Sequence, residues 1–580
     1  MSSKSRYSPK QSLDPNKLAS QAQAKLQKAV VLHQQGQFAQ AEAIYAEVLR
    51  MQPNNHDALH LLGVIAIQRK DLERAANLIE KAIEIHPGSA DMYFNYGTAL
   101  MQLNRFEAAL QNFEKAIALR PGYAEAHYSK GNALKKRNQP EAALQSYEQA
   151  ISLKPDFAEA HVNRGNVLHQ RNQFDAALQS YDNAIAINPR YAEAYYGRGL
   201  TLKKLKHLDA AIENFDKAIA MKPAYIAAHA ERGNALLELK QPHAALDSYD
   251  TALSHVPDHP EVTAQKSIAL LLTADFNRGW QLYEWRWKCE SFPSRRRDFS
   301  QPLWLGGETL EGKTILLHCE QGLGDTIQFC RYVKVLSRLG ARIILEVQKP
   351  LVGLLAGLDG VSQVVEKGAP LPSFDCHCPF MSLPLAFKTN MQTIPSEPVY
   401  LTAPALKIAL WRQKLGAQTQ PRVGLAWSGS PTHKNDINRS IALSELVRHL
   451  PADFQFVSLQ KDVRDADKAT LQQHPGILHF GDEITDFTDT AALCELMDLV
   501  ISVDTSVAHL SGALGKQTWV LLPYVPDWRW LLDRNDSPWY PAMKLYRQPS
   551  AGDWLTLFTR VSVDLKTVHP TLGASTTLPM

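Results

Sequence analysis

Scarcity is informative in this 580-residue chain. Its six cysteines (Cys289, Cys319, Cys330, Cys376, Cys378 and Cys494) are too few and scattered for a disulfide scaffold. Cys376 and Cys378 stand one residue apart, the wrong spacing for a zinc knuckle, and no second pair answers them. They read as reduced thiols in buried packing, which sets the expectation of a cytoplasmic protein. No apolar run approaches the roughly 18–20 residues that cross a bilayer. The opening "MSSKSRYSPKQSLDPNK" lacks the apolar segment of a secretory signal. An excess of one charge is also missing: 62 basic residues against 59 acidic ones leave +3, which argues against nucleic-acid binding driven by bulk charge. Apolar residues at 45% and charged residues at 21% are ordinary for a globular protein. The chain is too long for one core, and about two to four domains are expected.

What is present first is a period. Pro53, Pro87, Pro121, Pro155, Pro189, Pro223 and Pro257 recur every 34 residues, and Gly63, Gly97, Gly131, Gly165, Gly199 and Gly233 keep the same interval. One unit, "PGYAEAHYSKGNALKKRNQPEAALQSYEQAISLKP", carries a small residue in its first helix and an apolar stripe in its second, with proline as the stop. The pattern resembles the tetratricopeptide repeat over seven units, residues 22–259, after a polar segment at 1–21. Such units stack into an all-α superhelix with a concave groove. The period fades at Ser267, and "ALLLTADFNRGWQLYEWRW" reads as a cap and linker over 260–302. Its Trp280, Trp285 and Trp287 are expected to pack at an interface.

Asn132, Asn166 and Asn234 each follow a repeat glycine, and Asn95 and Asn163 precede one by two residues. A side-chain amide both donates and accepts, so a row of them suits the backbone of an extended peptide. Arrays of protein O-GlcNAc transferases use asparagines in a similar way, and the likeness implies a protein or peptide acceptor here. The alternative is a solvated asparagine at a favoured repeat position. Val64, Thr98 and Leu200 interrupt the row.

From about residue 303 strands alternate with helices. "KTILLHCE", "ARIILEVQ" and "VSQVVEKG" read as strands of one half (303–400). A linker at 401–420 follows, then "RVGLAWSG", "FQFVSLQK", "LVISVD" and "TWVLLP" in a second half (421–565) and a tail at 566–580. Two Rossmann-like halves place a cleft between sheet carboxyl edges. Nicotinamide binding is disfavoured: Gly322 and Gly324 begin a dinucleotide fingerprint, but Ile327 stands at its third glycine, and no acidic residue after the second strand is placed for a ribose. "LGKQT" is no phosphate loop, because Leu510 and Gln517 occupy its key positions.

"GLGDTIQF" after a first strand and "VDTSVAHLSGALGK" after a late one resemble heptosyltransferase-like glycosyltransferases of bacteria, family nine, over residues 310–548. "DFTDTAAL", "PDWRWLLDRNDSPWYP" and "KLYRQ" resemble a subgroup in which this domain follows tetratricopeptide repeats; some such proteins glycosylate flagellin. The resemblance implies the GT-B fold, a nucleotide-sugar substrate with a UDP-sugar the leading choice, no cofactor, no metal and inversion at the sugar. Asp504, Thr505, Ser506 and His509, at a strand-to-helix turn, suit a diphosphate, since a helix N-terminus offers free N–H groups and positive potential. Gly324 belongs with them through its motif. Asp325 matches the family's catalytic base, with a helix cap as its alternative role and His318 or Glu320 as the next candidates. Ser428, Lys434, Arg439 and Lys461 are further candidates for the leaving diphosphate, Arg439 foremost at an expected helix start. Three readings stay open: a protein Ser/Thr glycosyltransferase, an enzyme acting on a glycan or lipopolysaccharide acceptor, and a scaffold with a degenerate transferase domain.

Overall fold

The computed structural model describes residues 15–568, so most of the segments expected at 1–21 and 566–580 lies outside the described residues. The chain divides into two compact units, one ending at Pro223 and the other beginning at Ala224. The first is helical throughout, six antiparallel hairpins from Pro15–Gln34 with Phe38–Met51 to Ala192–Lys204 with Leu208–Met221. The second unit opens with two more, Ile226–Glu238 with Pro242–His255 and Pro260–Leu272 with Phe276–Tyr283. One backbone device repeats in all of them. Gly36, Lys70, Asn104, Asn138, Asn172, Lys206, Lys240 and Ala274 hold φ between 57° and 76°. Each ends the first helix of its hairpin in a left-handed residue, and the next N–H reaches back to an otherwise orphaned carbonyl, as from Asp71 to Ala66 at 2.9 Å.

The rest of the second unit is α/β. Its smaller sheet contains β1 (Thr314–His318), β2 (Arg342–Val347), β3 (Val361–Glu366) and β4 (Cys376–Pro379) in the order β3-β2-β1-β4. The larger holds β5 (Arg422–Ala426), β6 (Gln455–Ser458), β7 (Ile477–Leu478), β8 (Leu499–Val503), β9 (Thr518–Leu522) and β10 (Met543–Arg547) in the order β10-β9-β8-β5-β6-β7. All paired strands are parallel. Each order reverses direction once, between β1 and β4 and between β5 and β8. The loops leaving these strands diverge there and open a crevice at the carboxyl edge. The expected linker holds a helix, Ala405–Leu415, whose buried Trp411 donates to Asp489 at 2.9 Å. Trp280 is interface packing: its indole N–H donates to the Thr389 carbonyl at 3.0 Å and its ring meets Trp528 edge-on. Trp285 and Trp287 are half-buried. One apolar cluster runs from Phe276 and Trp280 through Ile315 and Phe329 to Leu510 and Trp539.

The repeat glycines exist for a ring. A Cβ on Gly131 would stand 2.6 Å from the Tyr147 ring, and on Gly165 2.8 Å from that of Tyr181. The asparagine that follows accepts a hydrogen bond from the same tyrosine's hydroxyl: Tyr147 donates to Asn132 Oδ1 and Tyr181 to Asn166 Oδ1 at 2.9 Å, Tyr249 to Asn234 Oδ1 at 2.8 Å. Where the partner is the aliphatic Ile79 or the rings of Phe113 and Phe215, none with a hydroxyl, the residue after the glycine is Val64, Thr98 or Leu200. The interruptions in the asparagine row are thus a matter of internal pairing. Tyr45 completes the pattern by exception. Its hairpin has Ala29 and Val30 at those positions, and its buried hydroxyl has no partner among the described residues. Tyr147→Phe and Tyr181→Phe are each expected to cost about 1 kcal/mol, whereas Tyr45→Phe should be neutral or stabilising. Urea denaturation of the full chain checks this, and equal midpoint shifts at all three positions would mean that the asparagine bonds carry no stability.

Candidate functional site

The chain leaves β1 as Glu320-Gln321-Gly322 and turns into the helix Leu323–Phe329. Asp325 folds back so that Oδ2 accepts the Gly322 N–H at 2.7 Å, which is the capping role expected as its alternative. Its other oxygen, Oδ1, accepts from Nη2 of Arg529, a residue of the segment between β9 and β10. The Arg529 guanidinium is 9% exposed, donates to Asp527 Oδ1 at 2.8 Å and to Gln328 Oε1 at 2.7 Å, and lies over the Trp528 ring. Burial works against its charge, but Asp527 and Asp325 more than offset this and hold its pKa above the ordinary value. Sequence reasoning passed over Arg529. Its signal was a charged pair, Asp527 and Arg529, inside the aromatic run "PDWRW", where neither helical nor strand period applies.

At the end of β8, Thr505 caps the helix Ser506–Ala513 by accepting the Val507 N–H at 3.3 Å, and Ser506 is the first helical residue. His509 lies one turn in, stacked on Trp530 and bonded through Nδ1 to the Tyr540 hydroxyl at 2.9 Å. Burial pulls its pKa well below the ordinary value, with Arg529, Arg331 and Arg439 adding, so the ring is neutral at pH 7. Its Nε2 is 4.0 Å from Asp504 Oδ1. Burial pushes the Asp504 carboxyl up to about 6, Asp527 adds to the rise, and Arg439 and Arg529 oppose it. The two glycine- and aspartate-bearing motifs meet. A Cβ on Gly324 would come within 2.8 Å of the His509 ring and 3.5 Å of Ser506 Cα.

Across the β5–β8 crevice, Arg439 donates from Nη1 to the Asp504 carbonyl at 2.8 Å and lays its guanidinium against Gly429. Its place in the chain differs from expectation: it closes the one-turn helix Asp436–Arg439 instead of opening one. Arg464, not foreseen, secures the same loop through the Gly429 carbonyl at 2.9 Å and Asp436 at 2.7 Å. Ser428 is buried and exchanges hydrogen bonds with the Gln460 amide through its N–H and its hydroxyl, both at 3.2 Å. Lys461 is exposed and donates to the Thr485 carbonyl at 3.1 Å, and Lys434 is exposed on its loop.

Near the β1–β4 crevice, Glu320 spans the gap by accepting the Met381 N–H at 3.0 Å. The same oxygen faces Arg286 at 3.3 Å, while buried Oε2 has no hydrogen-bond partner among the described residues. Burial raises this carboxyl to about 7 against the opposing pull of Arg286. His318 points elsewhere, to His377 at 3.2 Å, and burial lowers it to about 3. The acidic residue nearest the end of the second strand is Glu346, the last but one of β2. Glu346 is buried and ion-paired with Arg297 at 2.7 Å, so it offers no free carboxylate to a ribose. The asparagines change meaning as well. Oδ1 of Asn132, Asn166 and Asn234 accepts from a tyrosine hydroxyl, and that of Asn132 also from the Asn163 amide, so these amides serve the hairpins' own bonding and offer a ligand only their remaining capacity.

Family comparison identifies tetratricopeptide repeats along the hairpins. One family described as "TPR repeat" matches residues 97–137, 131–170 and 165–206, and two described as "Tetratricopeptide repeat" match 26–90 and 192–225. Protein FlbA of Caulobacter vibrioides is 25% identical over 324 residues, 51% of this chain and 53% of FlbA, so the chain spans about half the length of that curated relative. Among solved structures, YrrB, described as a TPR protein with an unusual peptide-binding site, is 25% identical over 32% of this chain and 97% of its own, with a TM-score of 0.29. MamA is 26% identical over 28% of this chain and 95% of its own, with a TM-score of 0.27. Among the described residues no helix is long and apolar enough to cross a membrane.

Glu320 gives the crevice a measurable pH signature. Its folded pKa, about 7, lies above the ordinary 4.5, so the neutral acid favours the fold. That contribution is whole below pH 4.5 and is lost as the pH rises through about 7. The wild-type melting temperature should therefore fall relative to that of Glu320→Gln over this interval. Parallel curves for the two proteins would mean that Glu320 is ionised in the fold throughout.

Proposed function

We propose that the chain is a glycosyltransferase of GT-B architecture that moves a sugar from a nucleotide-sugar to a Ser or Thr hydroxyl of a protein held by the repeats. The observation that carries the reading is the meeting of two motifs far apart in sequence: Gly324 lies against His509 and Ser506, which brings Asp325 beside the N-terminus of the helix Ser506–Ala513. The positive end of that helix, with Arg439 on the Asp504 carbonyl, suits the diphosphate of the donor. Asp325, on the opposing half, is the base. It takes the acceptor hydroxyl's proton as that oxygen bonds to the anomeric carbon, and the nucleoside diphosphate departs from the other face, inverting the centre. Neutral His509 serves as a hydrogen-bonding group for the donor. Tetratricopeptide hairpins provide the protein-binding surface, with the amides of Asn132, Asn166 and Asn234 as N–H donors. Because those carbonyls are engaged internally, a glycan acceptor is the second reading, with the hairpins holding a partner protein.

The test is Asp325→Asn, assayed with UDP-, GDP-, ADP- and CMP-sugars. Turnover at saturating donor is expected to fall about 10²–10⁴-fold in a protein still folded at the assay temperature. Sustained turnover with a lowered melting temperature would make Asp325 a cap and ion-pair partner only. His509→Ala and Asp504→Ala should weaken donor binding, and unchanged calorimetric affinity in both would remove the nucleotide from this turn.

A further inference from the structure

Asp325 is held on both sides. Oδ2 accepts the Gly322 N–H and Oδ1 accepts from Arg529. Both carboxylate oxygens thus already receive a donor, one of them a guanidinium that stands where an acceptor hydroxyl would have to approach. As the side chains stand, the group placed to act as base is blocked by Arg529.

Arg529 is also placed for another task. Its Nη2 can donate to a phosphate oxygen while Nη1 and Nε hold the planar group in place on Asp527 and Gln328. Through Asp325 and Gly324 it lies at the N-terminal turn of Ser506–Ala513, where anionic charge is favoured. Asp527 both caps the turn Trp528–Trp530, by accepting the Arg529 N–H at 3.0 Å, and binds the guanidinium at 2.8 Å. The side chain therefore stays tethered by Nη1 while Nη2 changes partner.

We propose that Arg529 is a phosphate ligand for the donor and, by the same contact, the lock on the base: the diphosphate draws Nη2 away from Asp325. This rests on the glycosyltransferase reading and adds an order of events to it. With the guanidinium on the phosphates, the acceptor O–H gives its proton to the released Asp325 carboxylate. The acceptor oxygen bonds to the anomeric carbon, and the anomeric C–O bond breaks with its electron pair left on the phosphate oxygen beside Arg529. The base is thus armed only when the donor is seated, which protects a sugar nucleotide from loss to water before the cleft is filled.

A double-mutant cycle on the full chain, with UDP, GDP, ADP and CDP titrated by calorimetry, reads the competition. Asp325→Asn removes the competitor and should tighten binding of the preferred diphosphate about tenfold, a usual size for coupled groups. Arg529→Gln should weaken it by about tenfold or more. In the Arg529→Gln background the gain from Asp325→Asn should disappear. An equal gain in both backgrounds would reduce Asp325 to simple charge repulsion and overturn the lock, leaving the transferase reading intact. Failure of the wild-type chain to bind any of the four would remove both. If Arg529→Gln does not fold, Arg529→Lys keeps the charge without the fork, and the same cycle should then show a reduced gain; a full gain there would overturn the proposal.

Discussion

The helix Leu323–Phe329 can touch the helix Ser506–Ala513 because residue 324 has no side chain. Any Cβ there would enter the contact distance of the His509 ring, which is held by Trp530 on one side and Tyr540 on the other and has nowhere to retreat. That one close approach sets the separation of the two sheets' carboxyl edges. It brings Asp325 of the first half within reach of Arg529 of the second, and it places both at a helix N-terminus. The neutral state of His509 follows as well, since the burial that the contact completes disfavours a charged ring.

Much of this architecture was legible in residue order, for identifiable reasons. The 34-residue period survives because every hairpin must offer its neighbours the same surface. β5, β8 and β9 are buried along their whole length and therefore read as near-continuous apolar runs, interrupted only at Arg422, Ser502 and Thr518. β4, β7 and β10 went unread: "CHCP" carries histidine and cysteine in place of aliphatics, β7 has two residues, and β10 is an edge strand with charges at Lys544 and Arg547. In the candidate site, Gly324, Asp325, Asp504, Thr505, Ser506, His509 and Arg439 gather at the facing edges, because strand-to-helix turns must lie there in parallel sheets. Lys434 and Lys461 are exposed, and a lysine in a loop follows no pattern that spacing could reveal. Arg529 was invisible for a related reason: its meaning comes from partners some 200 positions away in the chain.

The left-handed turn residues carry a similar lesson. Lys70, Asn104, Lys206 and Ala274 occupy a conformation that glycine adopts most easily, and only Gly36 announces it. Hairpin geometry imposes it on the others, and stacking across the hairpins compensates the local strain.

The pairing of glycine, asparagine and tyrosine within a hairpin bears on how such a chain lengthens. Gly131, Asn132 and Tyr147 lie in one hairpin and complete one another, as do Gly165, Asn166 and Tyr181 in the next. The stitch between these hairpins, from Asn163 to Tyr128 and Asn132, uses groups each hairpin already displays. A copied segment that begins and ends between hairpins therefore arrives with its polar partners inside it, whereas one broken between the paired helices would strand a buried hydroxyl, as at Tyr45. Gene duplication in units of whole hairpins is the growth path this chemistry tolerates, and it would leave a fixed numerical spacing such as the 34 residues seen here.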